Sequence, residues 1–78
     1  MMNATGHKPS LGYLCNFYGV NVLMLAAVSK VNVLDIWGMI VGNASRETAH
    51  MILCAFNELA GKSYTIDDIH VNLIERRN

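Results

Sequence analysis

The feature that most restricts the fold of this chain is the absence of any charged side chain from residues 9–29. A run of that length is long enough to cross a bilayer as one helix. Pro9, Gly12, Asn16, Gly19 and Asn21 interrupt the run, however, and polar amides in the middle of a membrane span are costly unless they find partners. We therefore expect the run to form buried helices of a soluble domain, without a membrane segment.

Chain length, charge and cysteine content limit the possible functions. The 78 residues make one domain, which buries only a modest share of its surface unless oligomerisation adds to it. Six basic and six acidic residues give a formal net charge of zero, so the chain lacks the positive excess typical of proteins that bind phosphate backbones. Cys15 and Cys54 lack the spacing of a zinc or redox motif, and we expect both to be buried free thiols in a reducing, cytoplasmic environment.

Polar residues and glycines divide the chain into short helices. Four side chains are suited to cap the first turn of a helix, namely Ser10, Asn21, Asn32 and Ser45. Helix stops are predicted at Gly19, near Lys30, at Gly42-Asn43 and at Gly61. Thr65 with Asp68 opens a further short helix that runs to about His70. The sequence therefore predicts five short helices, and it leaves open whether Val71, Leu73 and Ile74 form a strand or a docked extension.

Apolar residues recur at helical spacing and define the predicted core. Helix two allows two inward stripes, one through Leu25 and Val28 and the other through Val22, Leu25 and Ala26. The inward residues predicted for the first and fourth helices are Leu11, Leu14, Cys15, Tyr18, Ala49, Ile52, Leu53, Phe56, Leu59 and Ala60.

Two segments carry a resemblance to a known family. The stretch LAAVSKVNVLDIWGMI, residues 25–40, has a small Ala26 in helix two, an apolar Val31 after the turn, and inward Ile36 and Met39 in helix three. The stretch SRETAHMILCAFNELAGKSYTIDDI, residues 45–69, has a capped helix, a glycine, and then an aromatic-Thr-apolar-acidic-acidic start to the last helix. Both segments resemble the helix-turn-helix domains of the phage Cro and repressor type, often called XRE-like.

The resemblance implies an all-α fold, a compact lambda-repressor-like bundle of about five short helices over residues 10–70. A flexible segment, residues 1–9, would precede the bundle, and a tail, residues 71–78, would follow it. The resemblance also implies a small DNA-binding transcriptional regulator that acts as a homodimer, in which each subunit reads one half-site. Family members usually have glycine between helices two and three, so Lys30 must adopt the left-handed conformation here or the turn differs.

The DNA-facing positions of the family fall on mostly apolar residues of this chain. They are Asn32, Val33, Leu34, Trp37, Gly38 and Val41. Of these, only Asn32 can hydrogen-bond a base edge in the major groove. Phosphate contacts would come from residues around the helix, chiefly Ser29, Lys30 and Arg46, with Lys8, Ser45 and Lys62 as further candidates. The predicted DNA-binding residues are therefore Ser29, Lys30, Asn32 and Arg46.

The same face of helix three supports an alternative function. Val33, Leu34, Trp37 and Val41 form a nearly continuous apolar strip on the predicted outer side. Exposed apolar patches mark protein contact sites, and aromatic residues are their usual anchors. The alternative is a protein-interaction or oligomerisation module on the same fold that has lost DNA binding, with the strip covered by another subunit or a protein partner.

Catalytic, metal and cofactor motifs lack the context that their chemistry needs. Glu47 and His50 have the E-x-x-H spacing of di-metal helical bundles, but such sites need further inward carboxylates that this chain does not offer. The GKS at residues 61–63 lacks the upstream glycine and strand of a phosphate-binding loop. We expect no metal, no cofactor and no enzymatic activity.

Overall fold

The computed structural model of the protein describes residues 8–74, which are mostly helical. In chain order the elements are α1 (Leu11–Tyr18), α2 (Val22–Ser29), α3 (Val33–Ile40), β1 (Asn43–Ala44), α4 (Arg46–Ala60), one turn of 3-10 helix (Ile66–Asp68) and β2 (Asn72–Leu73). The prediction of a mostly helical fold is confirmed. The predicted fifth helix is a single 3-10 turn, which is shorter than expected.

All four predicted N-caps form, and each fixes the start of one α-helix. Their side-chain oxygens accept hydrogen bonds from the backbone N–H three residues further on, at distances of 2.9 to 3.2 Å. A cap of this kind satisfies one of the N–H groups that the first turn leaves without an internal partner. The caps are Ser10, Asn21, Asn32 and Ser45.

Three of the four predicted stops also have the expected left-handed conformation. Gly19, Lys30 and Gly61 have φ values of 73°, 65° and 69°. The stop of α3 differs from the prediction, because its C-cap is Val41 with φ −83°, and Gly42 follows with φ 112°. The two-residue strand β1 follows at Asn43, before the cap of α4.

The C-terminal part of the described chain forms a strand, which settles one open question. β2 pairs in parallel with β1, with Asn43 opposite Asn72 and Ala44 opposite Leu73. Asn72 N–H donates to the carbonyl of Gly42 at 2.7 Å, and Ile74 N–H donates to the carbonyl of Ala44 at 2.8 Å. This pairing ties the end of the domain to the α3–α4 connection. The predicted flexible segment and tail lie partly outside the described residues, in 1–7 and 75–78.

One apolar core joins the four helices, with α2 packed mainly on α4. Phe56, Leu11, Leu25, Ile36, Met39 and Ile52 are its largest fully buried side chains. In α2 the stripe through Val22, Leu25 and Ala26 faces this core, whereas Val28 is 39% exposed. The second of the two predicted stripes is therefore confirmed.

Cys54 contradicts the prediction that both cysteines are buried. Cys15 is buried, but Cys54 is exposed on α4. The buried stripe of α4 runs through Ile52, Leu53, Ala55 and Phe56, and position 54 points away from it. The apolar neighbours of Cys54 in the sequence therefore belong to the core side of the helix, and Cys54 itself does not.

Candidate functional site

The turn between α2 and α3 is built by three consecutive residues. Lys30 takes the left-handed conformation in place of the glycine that the resemblance leads one to expect, and its N–H donates to the carbonyl of Ala26 at 3.0 Å. Ser29 is buried, and its Oγ accepts a hydrogen bond from Val31 N–H at 3.1 Å. Ser29, a predicted DNA contact, therefore lies inside the turn, while the Lys30 side chain is exposed.

Asn32, the predicted base-reading residue, uses both polar atoms of its side chain at the start of α3. Its Oδ1 accepts from Asp35 N–H at 2.9 Å, and its Nδ2 donates to Asp35 Oδ2 at 3.2 Å. A bidentate contact to adenine needs both of these atoms. In addition, the exposed Asp35 carboxylate brings negative charge to the helix end that would approach DNA.

The basic residues around α3 form a sparse set. Lys30 and Arg46, both predicted phosphate contacts, are exposed at the end of α2 and the start of α4. Lys62 lies with its Nζ 5.3 Å from the centre of the Tyr18 ring, a cation–π distance on another part of the surface.

The outer side of α3 is apolar and open to solvent. Leu34, Trp37 and Val41 are 80%, 51% and 73% exposed, and their spacing of three and four residues puts them on one side of the helix. We call these three residues the α3 strip. Val33, which was predicted to belong with them, is half-buried. Three of the four predicted interface residues are therefore well exposed.

α2 adds a second apolar surface, which the sequence patterns did not single out. Within α2 only Leu25 and Ser29 are buried, and the helix contains no charged residue. Leu23 is 73% exposed, and Met24, Ala27 and Val28 are also exposed. A helix that is apolar on all sides is normally buried on all sides. The absence of charge from residues 9–29 was the available signal for this surface.

An apolar groove connects α2 with the α3 strip. It has a volume of about 520 Å³ and lies between α1, the start of α2, and α3. Leu23 and Trp37 are among its lining residues, so the exposed side chains of the two helices border the same hollow. A Cβ at Gly12, which also lines it, would come within 3.0 Å of Ile40 Cγ2, so α1 and α3 are in close contact there.

The groove carries no formal charge. Cys15 lines it, and burial raises the pKa of the Cys15 thiol, which keeps the thiol in its neutral form at neutral pH. The two polar residues of the lining, Asn16 and Asn21, are amides. We refer to the groove together with Leu23 and the α3 strip as the apolar surface.

Other features of the described chain do not converge on a site. Within residues 8–74, no group of three or more His, Cys, Asp or Glu side chains is arranged to hold a metal ion. Glu47, His50 and His70 are exposed, and His7 lies outside the described residues. None of the helices in this part of the chain is both long and apolar enough to cross a membrane. α1 and α2 reach that length and apolarity only as a pair, which is bent by 104°.

Comparison with known proteins adds no family or function. No protein-family model matches the sequence, and no curated protein or solved structure gives a significant match.

Proposed function

We propose that this chain is a protein-interaction module whose apolar surface binds another polypeptide. The observation that carries the proposal is the exposure of Leu34, Trp37 and Val41 on a helix whose opposite side already fills the core. Burying apolar side chains contributes roughly 25 cal/mol per Å², and a half-exposed tryptophan beside an apolar groove is typical of an interface anchor.

The polar chemistry near α3 supports protein binding over base reading. Asn32 is bonded to Asp35 through both side-chain atoms, and Ser29 is buried in the turn. The positions that remain on the outer side of α3 are apolar, apart from the acidic Asp35. Apolar side chains distinguish bases only through contacts such as those to thymine methyl groups. We also propose a cytoplasmic location, because the two cysteines form no disulfide.

Site-specific photo-crosslinking in cells tests the proposal. We would replace Leu34 by p-benzoylphenylalanine and, as a matched control, Met51, which is 42% exposed on α4. Protein adducts are expected from position 34 and not from position 51, because only the former lies on the apolar surface. Equal yields from both positions, or no adduct from position 34, would contradict a protein-binding role for α3.

A DNA-binding regulator of the helix-turn-helix type is the second candidate function. It is favoured by the left-handed Lys30 between α2 and α3, which allows the tight turn that the resemblance requires. Under this proposal a dimer would place α3 in the major groove, and Lys30 and Arg46 would contact phosphates. Duplex affinity should then fall steeply with rising salt, and Arg46→Ala should weaken it. Absence of duplex binding at low salt would exclude this candidate.

A further inference from the structure

We infer that Gly12 and Gly38 are positioning residues, which hold α3 close to α1 and to β1 and thereby set the shape of the apolar surface. The inference rests on the proposed function and deepens it, because it names the residues that keep the groove and the α3 strip in a fixed relation. Each glycine acts by leaving room for a neighbouring element.

The five glycines that the structure describes fall into two groups. Gly19, Gly42 and Gly61 have positive φ values, and a Cβ at any of them would have nothing within 4 Å. Their backbone conformation is therefore the reason for glycine. Gly12 and Gly38 lie inside α1 and α3, where the backbone is helical. Glycine weakens a helix relative to alanine, so these two positions need another explanation.

Close approach of a neighbouring element explains both helical glycines. A Cβ at Gly12 would lie 3.0 Å from Ile40 Cγ2, and a Cβ at Gly38 would lie 3.3 Å from the carbonyl oxygen of Asn43. Both distances are shorter than nine in ten Cβ contacts in proteins, so one of the two groups would have to move. Ile40 is branched at Cβ and Asn43 O belongs to the backbone, and neither group turns aside freely. An added methyl group would therefore push α1 or β1 away from α3.

The two contacts border the part of the molecule that a partner would meet. Gly12 and Ile40 both line the groove, and Trp37 lines it one turn earlier on α3. Gly38 lies one turn beyond Leu34, and both line a smaller hollow beside β1. A change of spacing at either glycine would therefore move the α3 strip relative to α1 or to β1.

Thiol labelling of the full chain tests the Gly12 contact. In a Cys54→Ser background, Gly12→Ala should make Cys15 react about tenfold faster, because the strain of overpacking is released whenever α1 moves away from α3. Ile40→Leu removes the Cγ2 methyl group, and combined with Gly12→Ala it should restore slow labelling. Circular dichroism should show unchanged helix content in each variant.

The sign of the effect makes the labelling test decisive. Alanine strengthens a helix where its methyl group meets no obstacle. Unchanged or slower labelling of Cys15 in Gly12→Ala would therefore overturn the inference at this position. Labelling that stays fast in the double variant with Ile40→Leu would also overturn it, because the contact with Ile40 would not be the cause.

Amide hydrogen exchange tests the Gly38 contact. The N–H groups of Asn72 and Ile74 donate to the carbonyls on either side of Asn43. Gly38→Ala should therefore speed their exchange about tenfold, because it pushes β1 away from its neighbours. The N–H of Phe56 on α4 is the control and should change much less. No acceleration at the strand, or equal acceleration at Phe56, would overturn the inference at this position.

Photo-crosslinking separates this inference from the proposed function. Adducts from position 34 in cells should fall severalfold in Gly12→Ala and in Gly38→Ala. Full adduct yield in both variants, despite faster labelling and exchange, would overturn the link between the glycines and the apolar surface. If position 34 gives no adduct even with both glycines in place, the proposed function fails, and labelling and exchange still decide whether the glycines position α3.

Discussion

α4 and the α2–α3 pair contribute to the same core but differ in the side chains that they expose to solvent. α4 buries one stripe and exposes Arg46, Glu47, His50 and Glu58 to solvent. α2 and α3 bury Leu25, Ile36 and Met39 and then expose further apolar side chains on the other side. One helix is therefore complete within a single chain, whereas the pair leaves an apolar side uncovered.

The contrast separates the residues whose type is explained by packing of the core from those whose type is not. Packing of the core explains the buried stripe of every helix. It does not explain why Leu34 and Val41 are apolar, since polar residues at these exposed positions would leave the core unchanged. Under the proposed function, contact with another polypeptide accounts for them.

Truncation of the core of α4 should have the largest effect. Phe56 is fully buried, with its ring centre 5.8 Å from that of Tyr18 and 6.1 Å from that of Tyr64. Phe56→Ala should lower the free energy of unfolding by about 3–5 kcal/mol in urea titrations. Met51→Ala, on the exposed side of the same helix, should change it by less than about 0.5 kcal/mol. Similar losses in both variants would refute the assignment of the inner and outer sides of α4.

The two thiols should differ in reactivity, because one is exposed on α4 and the other is buried in α1 beside the groove. Cys54 is exposed on α4, and Cys15 is buried at the groove, where burial also raises its pKa and lowers its thiolate fraction. Thiol labelling near neutral pH should therefore modify Cys54 about tenfold faster than Cys15. The Cys54→Ser variant isolates the slow thiol and the Cys15→Ser variant isolates the fast one. Equal rates would show that Cys15 is exposed to solvent, which would contradict its burial beside the groove.

Removal of the helix caps should have a smaller effect, equal in the two regions. Asn32→Ala at α3 and Ser45→Ala at α4 should each lower the free energy of unfolding by about 1 kcal/mol, because each leaves one first-turn N–H without its acceptor. Asn32→Asp keeps an acceptor at the cap and should retain most of the stability. If Asn32→Ala had no effect while Ser45→Ala did, the Asn32 side chain would be free for another contact, which would favour base reading.

Local sequence signals were sufficient for most helix boundaries, although not for the end of α3 or the length of the last helix. A side-chain cap acts within three residues and a left-handed stop within one, so Ser10, Asn21 and Gly61 could be assigned from their neighbours alone. At Lys30 the resemblance left two alternatives, a left-handed residue or a different turn, and the structure has the left-handed residue.

The features that the sequence did not predict depend on orientation or on distant pairing. The exposure of Cys54 depends on how α4 is rotated against the core. The predicted inward stripe through Ile52, Leu53 and Phe56 already left out position 54, but the prediction for the thiol relied on its apolar neighbours instead. β1 and β2 are two residues each, too short to form a recognisable pattern. The groove depends on how α1, α2 and α3 pack against one another. The second hydrogen bond of the Asn32 side chain, from Nδ2 to Asp35 Oδ2, depends on the rotamer of Asp35.

Fluorescence of Trp37 tests the central claim most directly, since it is the chain's single tryptophan and lies on the apolar surface. Acrylamide quenching would be measured for the chain alone and with the polypeptide that crosslinks at position 34, whether that is a second copy or another protein, and Leu23→Glu would be the comparison. We predict that quenching of the wild-type chain weakens when this polypeptide is present, because it covers Trp37, and that quenching of the variant stays strong. Equally strong quenching of both proteins with and without this polypeptide would contradict the account.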